Sequence, residues 1–126
     1  LERAATAYER LGRRVYLDRL PVRRRNDVIL VPIRQIAYIE ADAELLNITT
    51  VNNERYTITY RLHALEDRLD PRRFVRLGRG TLANLDLITR INPMPGGTAT
   101  AVLSIGQELP VSRIQAKILR ETLLKI

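Results

Sequence analysis

Between Ala37 and Tyr60 three extended stretches follow one another with only tight turns between them, and this spacing leaves no room for a crossover helix. Ala37-Tyr38-Ile39-Glu40-Ala41 reads as the first strand and Asp42-Ala43-Glu44 as its turn. Leu46, Ile48, Thr50 and Asn52 then alternate with Asn47, Thr49 and Val51. Asn52-Asn53 supplies a second turn, and Arg55 to Tyr60 returns. The result is an antiparallel meander, which excludes a parallel βαβ sheet.

The flanks extend the pattern. Val15 to Leu20 is expected to be extended and to form a hairpin with Val28-Ile29-Leu30-Val31 across the basic turn Arg23 to Asp27. A single turn at Pro32 to Ile36 separates this hairpin from the meander. Leu62, Leu65 and Leu69 give a short amphipathic helix over 62–69, stopped by Asp70-Pro71. After Asn84 come strands at Ile88 to Asn92, Thr98 to Ile105 and Glu108 to Val111, divided by Pro93-Met94-Pro95-Gly96-Gly97 and Gly106-Gln107. Ser112 is the expected cap of a closing helix striped by Ile114, Ile118, Leu119 and Leu123. The fold class expected is mainly β: small antiparallel β-sheets, sandwich- or barrel-like, with short helices. Residues 1–14 read as an N-terminal linker helix from an upstream domain, and residues 15–126 as one domain.

Composition narrows the function. With 126 residues and 45% hydrophobic content the chain can bury a real core. It has no cysteine, so disulfides and thiolate chemistry are excluded, and no apolar run approaches the roughly 20 residues needed to span a bilayer. A cytoplasmic location is the expectation. A chain that opens on Leu1 rather than Met is expected to be a piece of a longer protein. The net charge of +7 favours a polyanionic partner. The surplus is uneven, since residues 31–60 carry two basic and four acidic side chains.

One stretch resists a simple strand reading. In Phe74-Val75-Arg76-Leu77-Gly78-Arg79-Gly80, strict alternation leaves neither side purely apolar. Two arginines flanking small glycines suit a backbone that approaches an anion, because glycine permits close contact or a positive φ and guanidinium offers paired donors. An ordinary glycine turn with solvated arginines has the same pattern. Elsewhere the chemistry is sparse. There is no P-loop, dinucleotide fingerprint, metal-binding histidine motif or nucleophile elbow, so no enzyme is expected and no cofactor or metal. His63, the sole histidine, reads as a solvated helix-start residue, and no helix-turn-helix is present.

The order of the pieces Ile36-Ala37-Tyr38-Ile39-Glu40-Ala41-Asp42, Leu62 to Leu69, Phe74-Val75-Arg76-Leu77, Leu82-Ala83-Asn84-Leu85, Ile88 and Leu109-Pro110-Val111-Ser112-Arg113 resembles the LytTR DNA-binding domain. The resemblance covers roughly Val15 to Ile126. It implies the output domain of a bacterial two-component response regulator, binding promoter direct repeats in double-stranded DNA through loops, with a dimer on DNA and an upstream receiver domain. Carried onto this sequence, it implies DNA contacts from Arg76, Arg79, Arg113 and the loop Ala43-Glu44-Leu45, with Asn84 as a structural brace. Arg79 and Arg113 are expected to probe bases. Arg76, Lys117 and the helix start near Ser112 are expected to hold phosphates, and with Ile114 where a second basic residue is common, base reading at the last loop falls to Arg113 or Gln115. Gly78, Gly80 and Ile114 depart from the family pattern, and Glu44 would repel phosphate but could accept from a cytosine amine. The competing reading is a β-rich protein-interaction module whose arginines serve solubility.

Overall fold

The computed structural model describes residues 15–122. The expected linker helix over 1–14 and the stripe position Leu123 lie outside those residues. The described chain is mainly β, in three antiparallel sheets. The hairpin pairs β1 (Arg19–Arg23) with β2 (Val28–Pro32), so its first strand begins four residues later than expected. A single 3-10 turn at Ile33–Gln35 leads into β3 (Ile36–Asp42), β4 (Leu45–Thr50) and β5 (Arg55–Thr59), the expected meander. Helix α1 (Leu62–Glu66) follows, then β6 (Phe74–Gly78) and β7 (Thr81–Asn84). The chain continues through β8 (Ile88–Pro93), β9 (Ala99–Leu103) and β10 (Glu108–Val111) to helix α2 (Arg113–Thr122).

The central sheet has the order β5-β4-β3-β7-β6 and separates two apolar cores. On one face Leu20, Val22 and Val31 of the hairpin and Leu62, Leu65 and Leu69 around α1 pack on Ile39, Ile48, Phe74 and Leu82. On the other, Tyr38, Leu77 and Ala83 meet Ala101 and Leu103 of β9, Leu109 and Val111 of β10, and Ala116 and Leu119 of α2. Each small sheet thus buries its apolar face against the larger one.

Single strands serve both cores by alternation, and two of them also carry a bulge. In β3 the register against β4 slips between Ile36 and Tyr38, so Ile36 and Ile39 share one core while Ala37 and Tyr38 face the other. In β6, Phe74 is buried in the first core while Val75 and Leu77 pack in the second, as simple alternation requires, and the register against β7 slips only between Arg76 and Gly78. Both sides of this stretch carry apolar residues because both faces of the central sheet are buried, and Arg76 falls on the Phe74 side. Asn84 is the brace the sequence suggested. Buried at 2% exposure, it donates from Nδ2 to the Ile36 carbonyl at 2.9 Å and accepts the Asp86 N–H at 3.0 Å, ending β7 in a 3-10 turn.

The closing helix is rotated from its expected face. Ala116 and Leu119 are buried, whereas Ile114 is 72% and Ile118 41% exposed. Ala116 and Leu119 pack in the second core with Leu109 and Val111, and a small Ala116 at that contact suits a close approach of the helix.

Candidate nucleic-acid interface

Three turns and a helix start meet at one end of the molecule. The β3–β4 turn is Ala43-Glu44, with Asp42 opposite Leu45 and Ala43 at φ 57°. Beside it lies the β6–β7 turn, Arg79-Gly80. Glu40 pairs with Thr81, and the Ala41 N–H donates to the Gly80 carbonyl at 2.8 Å, which extends the β3–β7 ladder into that turn. The bulge adds the third tie. With Leu77 lacking an opposite residue in β7, its carbonyl accepts the Ser112 N–H at 2.9 Å, fixing the start of α2 to the strand that carries Arg79. The Ser112 Oγ accepts the Gln115 N–H at 3.3 Å, capping α2 as expected.

The β8–β9 turn completes the cluster. Gly96 and Gly97 both have positive φ, 82° and 89°, and the Gly96 carbonyl accepts from Arg113 Nε at 2.9 Å. Arg79, Met94, Pro95, Thr98 and Ser112 line a shared open groove. The sequence-suggested residues Glu44, Arg79 and Arg113 are therefore gathered at one end of the fold, on loops or at a helix start.

Their individual settings differ. Arg79 is exposed and makes no side-chain ion pair or hydrogen bond among the described residues, so its five donors are open to a ligand. Arg113 is exposed, and only its Nε is engaged, leaving both terminal nitrogens available. Lys117 is exposed one helical turn beyond it on the same side of α2, and Gln115 is half-buried. Glu44 is exposed at the turn. Leu45, expected in the loop, is instead the first residue of β4, because its pairing with both Asp42 and Thr59 extends the ladder.

Arg76 is corrected by the geometry. Its Nη2 donates to Glu66 Oε1 at 2.6 Å, its Nε to the same oxygen at 3.3 Å, and its Nη1 to the Arg79 carbonyl at 2.6 Å. It is a structural residue beneath the turn rather than a free phosphate ligand, because α1 supplies a carboxylate that the linear sequence did not place beside it. Gly78 and Gly80 are also not the residues that need a positive φ. That role falls to Gly96, Gly97 and Gly106. Gly78 has open space where a side chain would stand, and a Cβ added at Gly80 would stand 3.7 Å from the Ala41 Cβ, an ordinary contact.

Several other arginines are held internally. Arg24 binds Asp27 through Nε and Nη2 at 2.8 and 2.7 Å, so the basic hairpin tip is partly neutralised. The guanidinium of Arg72 reaches Asp70, and Arg73 lies 3.8 Å from Asp86. Those hydrogen bonds hold the carboxyls of Asp27 and Asp70 below the usual carboxylate range. One further cation sits at the same end as Glu44 and went unnoticed in the sequence. Arg61 shares a groove with Ala43, Glu44 and Tyr60. The signal was present in the hairpin register, since Leu45 opposite Thr59 carries the chain past Glu44 as it leaves β5.

Among the described residues no helix is long and apolar enough to cross a membrane, and no group of three or more His, Asp or Glu side chains could hold a metal. The chain is 33% identical over 98 residues to the sensory transduction protein LytT of Bacillus anthracis, covering 78% of this chain and 39% of the relative. It is 31% identical over 107 residues to a response regulatory protein of Vibrio cholerae, covering 85% and 44%. It spans less than half the length of these curated relatives. A solved LytTr DNA-binding domain from Bacillus cereus superposes with a TM-score of 0.77 at 24% identity, covering 87% of this chain and 99% of that one, which shows the shared fold. The LytTr DNA-binding domain family model matches residues 26–124, and on that match the chain belongs to the LytTR family of DNA-binding domains.

Proposed function

We propose that the chain is the DNA-reading part of a transcriptional response regulator and recognises direct repeats in promoter DNA through the turns gathered at one end. Arg79 and Arg113 probe base edges, each with unpaired guanidinium nitrogens that match the acceptor pair of guanine. Lys117 and the capped start of α2 at Ser112 hold phosphates, and the half-buried Gln115 is the alternative base reader to Arg113. Glu44 holds the first turn off the phosphates or accepts from a cytosine amine, and Arg61 beside it supplies compensating charge. The observation that carries this reading is the Leu77–Ser112 backbone bond, which couples the Arg79 turn to the Arg113 helix start as one unit.

The relatives, named as sensory transduction and response regulatory proteins, are more than twice as long as the stretch they share with this chain. The proposal therefore includes an upstream receiver domain; it also takes residues 1–14 as the joining linker helix and places a dimer on DNA in the cytoplasm. Selection from a random duplex pool at moderate salt tests it. Recovery of one enriched motif whose enrichment is lost in Arg113→Ala supports the reading. A pool that stays unenriched points instead to a protein-interaction module.

A further inference from the structure

We infer that Arg76 and Glu66 form a positioning brace that holds the Arg79-bearing turn in its reading conformation. This rests on the proposal that Arg79 probes bases. Arg76 sits on β6, and its guanidinium spans from the Glu66 carboxylate on α1 to the Arg79 carbonyl, at 2.6 Å on each side, with the Gly78 carbonyl at 3.4 Å. A planar guanidinium fits this fork, because its donors point in fixed directions toward two acceptors at once.

The turn needs such support. It follows the Leu77 bulge, where ladder pairing is interrupted, and it carries two glycines with few packing contacts of their own. Arg79 itself has no side-chain partner, so nothing but the backbone of its turn sets the direction in which it projects. The side chains of Arg76 and Glu66 are 20% and 36% exposed, so the pair is only partly screened by solvent. Glu66 lies in the last turn of α1, whose Leu62 and Leu65 are anchored in the first core. The core thus reaches the reading turn through one carboxylate and one guanidinium.

Electrostatics and positioning make opposite predictions for the loss of Glu66. Removing an acid takes away a negative charge and frees Arg76, which by phosphate attraction alone tightens binding to every duplex. A brace predicts instead that binding to the selected motif weakens relative to a scrambled duplex. In Glu66→Ala of the 126-residue chain, the motif-to-scrambled affinity ratio should fall roughly tenfold, within the range of one bidentate base contact. Binding to the scrambled duplex should not weaken. Asp67→Ala, which makes the same charge change at a neighbouring exposed acid 4.0 Å from His63, should keep the ratio. Glu66→Gln keeps the acceptor and the volume and should fall between the two, and it serves if the alanine variant folds poorly.

A readout without DNA separates the brace from the DNA reading. Amide order parameters of Gly78, Arg79 and Gly80 should drop from the rigid level of about 0.85 toward about 0.6 in Glu66→Ala and stay high in Asp67→Ala. Unchanged order parameters, or a motif ratio within twofold of the parent, would overturn the brace. If the parent protein itself selects no motif, the DNA proposal falls, while the relaxation data still decide whether the turn depends on Glu66.

Discussion

Arg113 and Gly97 are fitted to each other: the Cβ that any other residue would add at position 97 would stand 3.3 Å from the Arg113 Cγ, and Gly97 is held at φ 89°. The neighbouring Gly96 carbonyl anchors the same arginine through Nε. Gly97→Ala therefore meets both a strained backbone and a displaced side chain. The expected cost is about 1–2 kcal/mol of stability from the left-handed conformation. Discrimination between the selected duplex and a scrambled one should also fall, because the arginine must shift. Urea unfolding and a pair of binding titrations check the two halves separately.

Asn84 yields a prediction about stability alone. Its amide bridges the Ile36 carbonyl and the Asp86 N–H while buried between strands β3 and β7. Asn84→Ala leaves both backbone groups without that partner, at about 1–3 kcal/mol for a buried polar group left unmatched. Asn84→Asp should be worse, because a carboxylate cannot donate to the Ile36 carbonyl and is charged at a buried site. Chemical denaturation of the two variants should rank them in that order.

Ala43 stands at φ 57° in the β3–β4 turn, a conformation that asparagine and glycine tolerate better than alanine. Asn53, at φ 63° in the next turn, is the residue type expected there. Ala43→Gly relieves the strain and should raise stability by about 0.5–1 kcal/mol, with the gain trimmed by the greater freedom of glycine in the unfolded chain. Thermal unfolding measures it, and a melting temperature below the parent's would contradict it.

The meander, the two later hairpins and the final cap could be read from the sequence because each is set by local spacing: tight turns between alternating runs, a glycine-proline break, a serine before a helical stripe. What could not be read were the features set by partners distant in the chain. The central sheet is buried on both faces, so alternate residues of one strand feed two cores, and the bulge at Ala37 puts the neighbours Ala37 and Tyr38 together in the second. No periodicity in Phe74 to Gly78 reveals the extra residue at Leu77. Arg76 looked like a second free arginine for the same reason, since Glu66 is ten residues away and meets it only through the packing of α1. The stripe of Ile114 and Ile118 misled because helical spacing names several faces, and it is the face of Ala116 and Leu119 that packs with Leu109 and Val111 of β10. By contrast, Arg79 and Arg113 occupy a turn and a helix start, which sequence spacing does locate.

Asp70 links acid stability to the entry of β6. Its Oδ1 accepts the Arg72 N–H at 2.9 Å, and its backbone carbonyl accepts from Arg73 and Phe74. The side-chain hydrogen bond from Arg72, followed by the backbone one, lowers its pKa from 3.8. A carboxyl whose folded pKa lies below its unfolded value stabilises the fold above the unfolded value, and that contribution disappears as pH falls through the folded one. Stability should therefore decline with acid below about pH 4, and Asp70→Asn should flatten part of that decline while leaving neutral-pH behaviour closer to the parent. Urea midpoints measured across the acid range give the comparison.

Lys117 and Arg113 lie one helical turn apart on the same side of α2, yet their settings assign them different effects on binding. The Arg113 guanidinium is oriented by the Gly96 carbonyl, which restricts it to one approach and suits base reading. Lys117 has no partner among the described residues and presents a flexible point charge, which suits a phosphate. Arg113→Ala should cost about 1–3 kcal/mol against the preferred duplex and much less against a scrambled one. Lys117→Ala should weaken both duplexes alike and reduce the slope of log affinity against log salt by about 1. Titrations of both variants at several salt concentrations separate the two roles. Equal losses on both duplexes for Arg113→Ala would move that residue to the phosphate backbone and leave Arg79 as the reader on this face.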